Sequence, residues 1–182
     1  LKLIMVMWVF YAYIGFLILT HLVPHATDIG ISAGEAAAVL SLMGGTTMAG
    51  RVLMGIISDR IGRKLIAIIC SLLQAGAMVW LIWSQDLWMF CLFAVVYGFA
   101  RGGFSTSMAA LIGETFGSGK IGSIFGVLEV GFSIGAAIGP AIGGFIFDVS
   151  NSYSVAFLIG GVVMLIVTLL VPLIRRETER NY

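Results

Sequence analysis

Long apolar runs separated by short polar connectors dominate this chain of 182 residues. Six of the runs come close to or exceed the roughly 20 residues that a helix needs to cross the hydrocarbon core of a membrane. They cover roughly residues 3–22, 35–57, 65–83, 87–112, 121–147 and 153–174. A membrane barrel would show short alternating segments instead of unbroken apolar runs. The pattern therefore predicts an all-α membrane protein, a single bundle of six transmembrane helices over residues 1–182.

Composition supports the same class of protein. The chain is 60% hydrophobic and 10% charged, whereas about 25% of the residues of a soluble domain are charged. A net charge of +1 gives no support to a nucleic-acid partner. Cys70 and Cys91 lie inside apolar runs, where we expect small core residues rather than a disulfide. No cofactor and no catalytic pair is indicated, so an enzyme is not expected.

The basic residues predict the orientation, because lysine and arginine favour cytoplasmic connectors. The opposite ends of the runs carry histidine and acidic residues and no lysine or arginine. Both termini are therefore expected in the cytoplasm, with the chain in the plasma (inner) membrane. The basic residues at the cytoplasmic ends are Lys2, Arg60, Arg63, Lys64, Lys120, Arg175, Arg176 and Arg180.

The connector after the second run carries the most specific motif. Residues 55–64 read GIISDRIGRK and match the pattern G-x-x-x-D-R-x-G-R-K at every defined position. This is the loop signature of the major facilitator superfamily, and the chain resembles that family of secondary transporters. The matching residues form the expected cytoplasmic gate loop: Gly55, Asp59, Arg60, Gly62, Arg63 and Lys64.

The resemblance implies a mechanical role for this loop. Asp59 would accept hydrogen bonds from the positive N-terminus of the fifth helix, near Lys120–Gly122, and so latch the cytoplasmic side in the outward-open state. The basic residues would pair with acids such as Glu114 or with anionic headgroups. A loop that only sets topology is the simpler alternative.

The number of runs also fits the resemblance. Major facilitators have twelve helices in two six-helix halves, each half made of two inverted three-helix repeats. Six runs with both ends inside most resemble the second half, and the start at Leu1 indicates a fragment or a processed chain. An N-terminal six-helix half would then be the missing partner.

Glycines four residues apart mark one face of the fifth run. This spacing lets a neighbouring helix approach closely, and a proline implies a local bend. We favour a role in helix packing over a direct role in coupling. The residues of this motif are Gly131, Gly135, Gly139, Pro140, Gly143 and Gly144.

Three charges lie inside the apolar runs, where charge is costly and usually faces a cavity or a partner. They are Arg51, Arg101 and Glu129, in the second, fourth and fifth runs. At 1.5 Å per residue they lie about 12, 17 and 12 Å from the cytoplasmic ends, in one layer near the midplane. The excess positive charge favours an anion. The structural alternative is that one arginine neutralises Glu129, while the other extends toward the membrane surface or contacts backbone carbonyls.

Arg51 resembles the substrate-binding arginine in the eighth helix of monocarboxylate porters and of the oxalate–formate antiporter family. Thr47 stands where monocarboxylate porters often have an aspartate, and the fifth run lacks the lysine of the oxalate exchanger. A monoanion is therefore favoured over a dianion. Arg101 lies among Gly98, Gly102 and Gly103, which favours a packing role.

Tyr11 and Tyr97 are further candidates for substrate contact, and Glu129 and His21 for coupling, with protons as a candidate ion. His21, His25 and Asp28 suggest metal binding, but Pro24 is expected to disrupt the helix between the histidines, so no metal is predicted. The G-x-G-x-x-G match at residues 117–122 lacks the α/β context of a dinucleotide site.

These features favour a secondary active transporter that moves a small organic anion, with a monocarboxylate first, by alternating access through the bilayer. Two alternatives remain open. The chain could belong to a drug or metabolite exporter in which Arg51 is only structural, or to a half-size, self-associating channel or transporter.

Overall fold

Six long helices follow one another in the computed structural model, which describes residues 1–117, 119 and 121–174. Each helix is long and apolar enough to cross a membrane, and the described part of the chain contains no strand. The predicted all-α fold is therefore confirmed. The elements are α1 (Lys2–Asp28), α2 (Ala33–Ile61), α3 (Arg63–Ile82), α4 (Leu87–Phe116), α5 (Ile121–Ser150) and α6 (Ser154–Leu170), followed by a 3-10 turn, Val171–Leu173.

The first helix is longer than its apolar run indicated. It continues through Pro24 to Asp28, so the expected disruption between His21 and His25 is wrong. Membrane helices tolerate proline when other groups satisfy the affected backbone. The Thr27 hydroxyl adds hydrogen bonds after the proline, to the carbonyls of Val23 at 3.2 Å and of Pro24 at 2.9 Å.

Local chemistry defines both ends of α2. At its start, the Ser32 side chain accepts a hydrogen bond from the backbone of Glu35, whose carboxylate accepts one from the Ser32 backbone. This reciprocal capping satisfies two helix-end donors. At its end, Gly62 has a φ of 113°, a conformation that glycine adopts without steric penalty. That single residue separates α2 from α3.

Each helix packs mainly on one or two of the others. α2 packs mainly on α4, α5 packs mainly on α1, and α3 packs on both α4 and α6. The apolar stretches of α2 and α5 are only 11% and 22% buried, against 44–56% for the other four helices. α2 and α5 therefore lie on the outside of the bundle and leave most of their surface uncovered.

Glycines bring the α2 and α4 backbones together. A Cβ atom added at Gly50 would collide with the carbonyl of Phe99, and one added at Gly102 would collide with the carbonyl of Thr47. The Thr46 hydroxyl also donates across this contact to the Ala94 carbonyl at 2.9 Å. Close backbone approach at small residues is the usual basis of helix association in lipid.

The glycine motif of α5 packs on α1 one turn after another. Gly131 faces Met5, Gly135 faces the carbonyl of Val9, Gly139 faces the carbonyl of Tyr13, and Gly143 faces Leu17 and His21. The packing expected of these four glycines is therefore present. Gly144 is the exception, because an added Cβ would meet no atom within 4 Å. Its expected place in the packing motif is wrong for this structure.

Replacing Gly102 with leucine should destabilise the bundle, because the new side chain would have to push α2 away from α4. Overpacking of this kind costs roughly 1–3 kcal/mol. Gly144→Leu is the matched control and should leave stability nearly unchanged, since space is open there. Thermal unfolding of purified, monodisperse protein measures both. Equal melting temperatures for the two variants would contradict the packing described at Gly102.

Candidate functional site

The three intramembrane charges lie in two different environments. Arg51 on α2 and Glu129 on α5 are exposed, whereas Arg101 on α4 is half-buried. In the described part of the chain, no ion pair involves any of the three. Neutralisation of Glu129 by an arginine, the alternative from the sequence, is therefore not observed among these residues.

All three charges lie well inside their helices. Since α4 continues to Phe116, Arg101 lies 15 residues, or about 22 Å, from that end of the helix. Arg51 lies ten residues, or about 15 Å, before the end of α2. Glu129 lies about 12 Å from the start of α5. Helix ends do not mark one common level, and Gly102, which follows Arg101, packs against the backbone at Thr47 and Arg51. The two arginines therefore lie at similar depth, and the single layer of all three charges stays a prediction.

The guanidinium of Arg101 is held between α1 and α4. Its Cζ lies 4.8 Å from the centroid of the Tyr11 ring, within range of a cation–π interaction. It also lies against the backbone of α1 at Gly15, where any Cβ would collide with both terminal nitrogens. The Tyr11 hydroxyl donates to the Arg101 carbonyl at 3.4 Å. Gly15 therefore creates the space that Arg101 occupies.

Aromatic rings enclose this arginine on two sides. Tyr11 stacks on Phe104 at 5.3 Å, and Tyr97 stacks on Phe93 at 5.1 Å. Both tyrosines are buried, Tyr97 completely. The Tyr97 side chain lies close enough to the Arg101 guanidinium to interact with it. In this conformation neither tyrosine offers more than a small part of its side chain to a substrate.

Gly15 is the residue of this site that sequence reasoning missed. Its spacing was the available signal, because residues four apart share one face of a helix and Gly15 follows Tyr11 by four. The partner on α4 could not be read from the sequence, because spacing within one helix does not show which other helix packs there.

Arg51 and Glu129 each stand in an exposed apolar surface. Arg51 has Met48 and Val52 beside it, 71% and 63% exposed. Glu129 precedes Val130, which is 61% exposed. A charge at this depth must face water or another part of a protein, because lipid solvates it poorly. The exposed faces of α2 and α5 therefore carry charges that need such a partner.

In the gate loop, Arg63 connects three helix ends. It pairs with Asp59 at 3.1 Å and with Glu114 at 3.1 Å, and it donates to the Ala110 carbonyl at 2.9 Å. The end of α2, the start of α3 and the end of α4 are thereby joined through one side chain. The expected contact of Asp59 with the start of the fifth helix involves Lys120, which lies outside the described residues.

His21 connects α1 to α5 near the opposite end of the bundle. Its Nε2 lies 3.1 Å from the carbonyl of Pro140, and its ring packs at Gly143 and beside Tyr153 at 5.2 Å. Burial, with added effects of Asp28 and Asp148, raises the pKa of Tyr153, so its phenol stays neutral at pH 7. No cluster of three metal-binding side chains occurs in the described ranges.

Comparison with known families identifies the chain. The family profile of the Major Facilitator Superfamily matches residues 3–182. The chain belongs to this superfamily. With six membrane-spanning helices, this superfamily member is an integral membrane protein.

The similar curated proteins are transporters. Monocarboxylate transporter 12 of Homo sapiens is 27% identical over 171 residues, which cover 89% of this chain and 33% of that protein. Monocarboxylate transporter 13 of Rattus norvegicus is 26% identical over 147 residues, covering 80% and 34%. The chain therefore spans about a third of the length of these relatives.

Solved structures show the same fold. A POT family transporter in complex with 5-aminolevulinic acid superposes with a TM-score of 0.84 at 17% identity. The match covers 97% of this chain and 38% of that one. At this identity the likeness concerns the major facilitator fold and not the substrate.

Replacing Gly15 with alanine should displace the Arg101 guanidinium and remove its contact with Tyr11. The loss should be about 2 kcal/mol of stability, the value for a desolvated cation–π contact. Gly44→Ala, where an added Cβ meets nothing within 4 Å, is the matched control and should be neutral or stabilising. Unfolding in detergent measures both.

A double mutant separates the arginine from the helix backbone. In an Arg101→Leu background, Gly15→Ala should have little further effect, because the colliding group is gone. An equal loss of stability in both backgrounds would show that Gly15 does not act through Arg101.

Proposed function

We propose that this chain is the C-terminal six-helix half of a secondary transporter that moves a small organic anion, with a monocarboxylate favoured, by alternating access. The observation that carries the proposal is Arg51, an exposed arginine in a membrane helix with no ion-pair partner in the described part of the chain. The monocarboxylate transporters among its relatives support the choice of substrate.

The guanidinium of Arg51 suits this task for a chemical reason. Arginine presents a planar set of donors that can bind both oxygens of a carboxylate. Because the neighbouring exposed side chains are apolar, a bound anion would find one charged contact within a poorly hydrated surface. Arg51 is one positive charge, and α5 supplies no lysine or arginine as a second. This fits a monoanion better than a dianion.

Glu129 and His21 are the proposed coupling residues. Glu129 lies on the exposed face of α5. His21 joins α1 to α5 through the Pro140 carbonyl, at a contact between two helices. Protons are the candidate coupling ion.

Arg101 is proposed to position the central helices, together with Tyr11. Its guanidinium is engaged with α1, so contact of Arg101, Tyr11 or Tyr97 with a substrate would require α1 to move relative to α4. Such a movement is compatible with alternating access.

An N-terminal six-helix half is the proposed partner of the exposed faces of α2 and α5. The alternative is a half-size protein that associates with itself. Co-expression with a separate N-terminal half should restore saturable uptake that the 182-residue chain alone does not support. Saturable uptake by this chain alone as a monomer would rule the proposed partner out.

Replacing Arg51 with lysine should weaken carboxylate binding roughly ten- to a hundredfold, the equivalent of about 1.5–3 kcal/mol for a charge-assisted hydrogen bond. Lysine keeps the charge but loses the two-point contact. Neutral analogues should bind almost as before. Binding to purified, monodisperse complete protein is the measurement.

Arg101→Lys is the comparison variant and should reduce folding or expression as much as it reduces binding. If Arg51→Lys binds carboxylates with unchanged affinity, Arg51 is not the anion ligand. The exporter alternative, in which Arg51 is structural, then becomes the better explanation.

Replacing Asp59 with asparagine should slow transport while substrate affinity stays within a few-fold. The change removes the negative charge that pairs with Arg63, and it acts on the populations of transport states rather than on the anion site. Asp86→Asn, in the connector between α3 and α4, is the control. Transport rates in proteoliposomes are compared, and an unchanged rate for Asp59→Asn would reduce the loop to a topology signal.

A further inference from the structure

A groove between α3 and α4 opens on the outside of the bundle, away from the charges described above. Its volume is about 320 Å³. Leu73, Gly76 and Trp80 form its α3 wall, and Leu92, Phe93 and Val96 form its α4 wall. The groove belongs to neither the anion site nor the gate loop.

The chemistry of the groove excludes a polar ligand. Every lining side chain is apolar, and its one polar group, the indole N–H of Trp80, already donates to the Met89 carbonyl at 3.2 Å. No lining residue carries a charge. A complementary occupant is therefore hydrocarbon.

Gly76 is the reason that the space exists. An added Cβ there would meet no atom within 4 Å, so the missing side chain leaves a gap in the α3 wall. At one end the gap is closed by Trp80, which packs edge-on against Trp88 at 6.1 Å. Tryptophans at helix ends mark the boundary between headgroups and hydrocarbon.

Size indicates which hydrocarbon fits. Residues 72–80 of α3, which line the groove, span about 12 Å at 1.5 Å per residue. One leaflet contributes about 15 Å of hydrocarbon to the bilayer. The length of the groove therefore matches most of one lipid chain within a single leaflet.

We propose that this groove is a binding site for one acyl chain of a membrane lipid, from the leaflet at the α3–α4 connector. The groove is continuous with the lipid-facing surface, because Leu72 and Leu92 at its edges are 47% and 42% exposed. Its α4 wall includes Phe93, which stacks on Tyr97 beside Arg101. Phe93 is itself almost fully buried, so it backs the groove and separates an occupant from the central arginine.

Photolabelling tests the proposal directly. The complete protein is reconstituted into vesicles of phosphatidylcholine and phosphatidylglycerol that contain a phosphatidylcholine with a diazirine in its acyl chain. After illumination, labelled peptides are mapped by mass spectrometry. Label should concentrate on Leu92 and Val96 over Val162 and Leu165, which are exposed on α6.

Filling the groove should remove the label. Gly76→Leu places a side chain in the open space and should lower labelling of the α4 wall roughly tenfold. Val96→Phe fills the groove from the other wall and should do the same, which keeps the test decisive if one variant folds poorly. Val162→Phe adds bulk on α6 outside the groove and should leave the labelling unchanged.

Two results would overturn the proposal. The first is label spread as heavily over α6 as over the groove, which indicates bulk lipid contact only. The second is unchanged α4 labelling in well-folded Gly76→Leu and Val96→Phe proteins. Because neither readout depends on transport, both are independent of the proposed anion function.

Discussion

Close approach of helix backbones at glycine is the constraint on which the rest of this structure depends. Between helices in lipid, the hydrophobic effect supplies little driving force, so contact rests on packing. Gly50 and Gly102 bring α2 against α4, and Gly135 and Gly139 bring α5 against α1. Each glycine fixes which face of its helix points inward, and thereby which residues point outward.

The positions of the charges follow from these contacts. Arg51 follows Gly50 directly, at about 100° around the helix, and Glu129 precedes Gly131 by two residues, at about 200°. With Gly50 and Gly131 buried, both charges are turned to the uncovered faces. Arg101 on the central helix α4 is instead enclosed by Tyr11 and the backbone at Gly15. Arg51, proposed to bind the anion, is therefore exposed, whereas Arg101, proposed to position the helices, is enclosed.

The two ends of the bundle are joined by different chemistry. At one end Arg63 unites α2, α3 and α4 through two carboxylates and a carbonyl. At the other, His21 joins α1 to α5 through one carbonyl. The first junction rests on ion pairs, whereas the second rests on a hydrogen bond between a ring nitrogen and a backbone carbonyl.

The sequence by itself determined the six spans, their helical type, the family and the four packed glycines of α5, because length and spacing report directly on one helix. It did not determine that α1 continues through Pro24, that Gly144 faces open space, or that Tyr11 and Gly15 enclose Arg101. Those features depend on which helix lies opposite. In a membrane, lipid and protein interior are both apolar, so hydrophobic periodicity does not distinguish the two sides of a helix, and only the tertiary structure does.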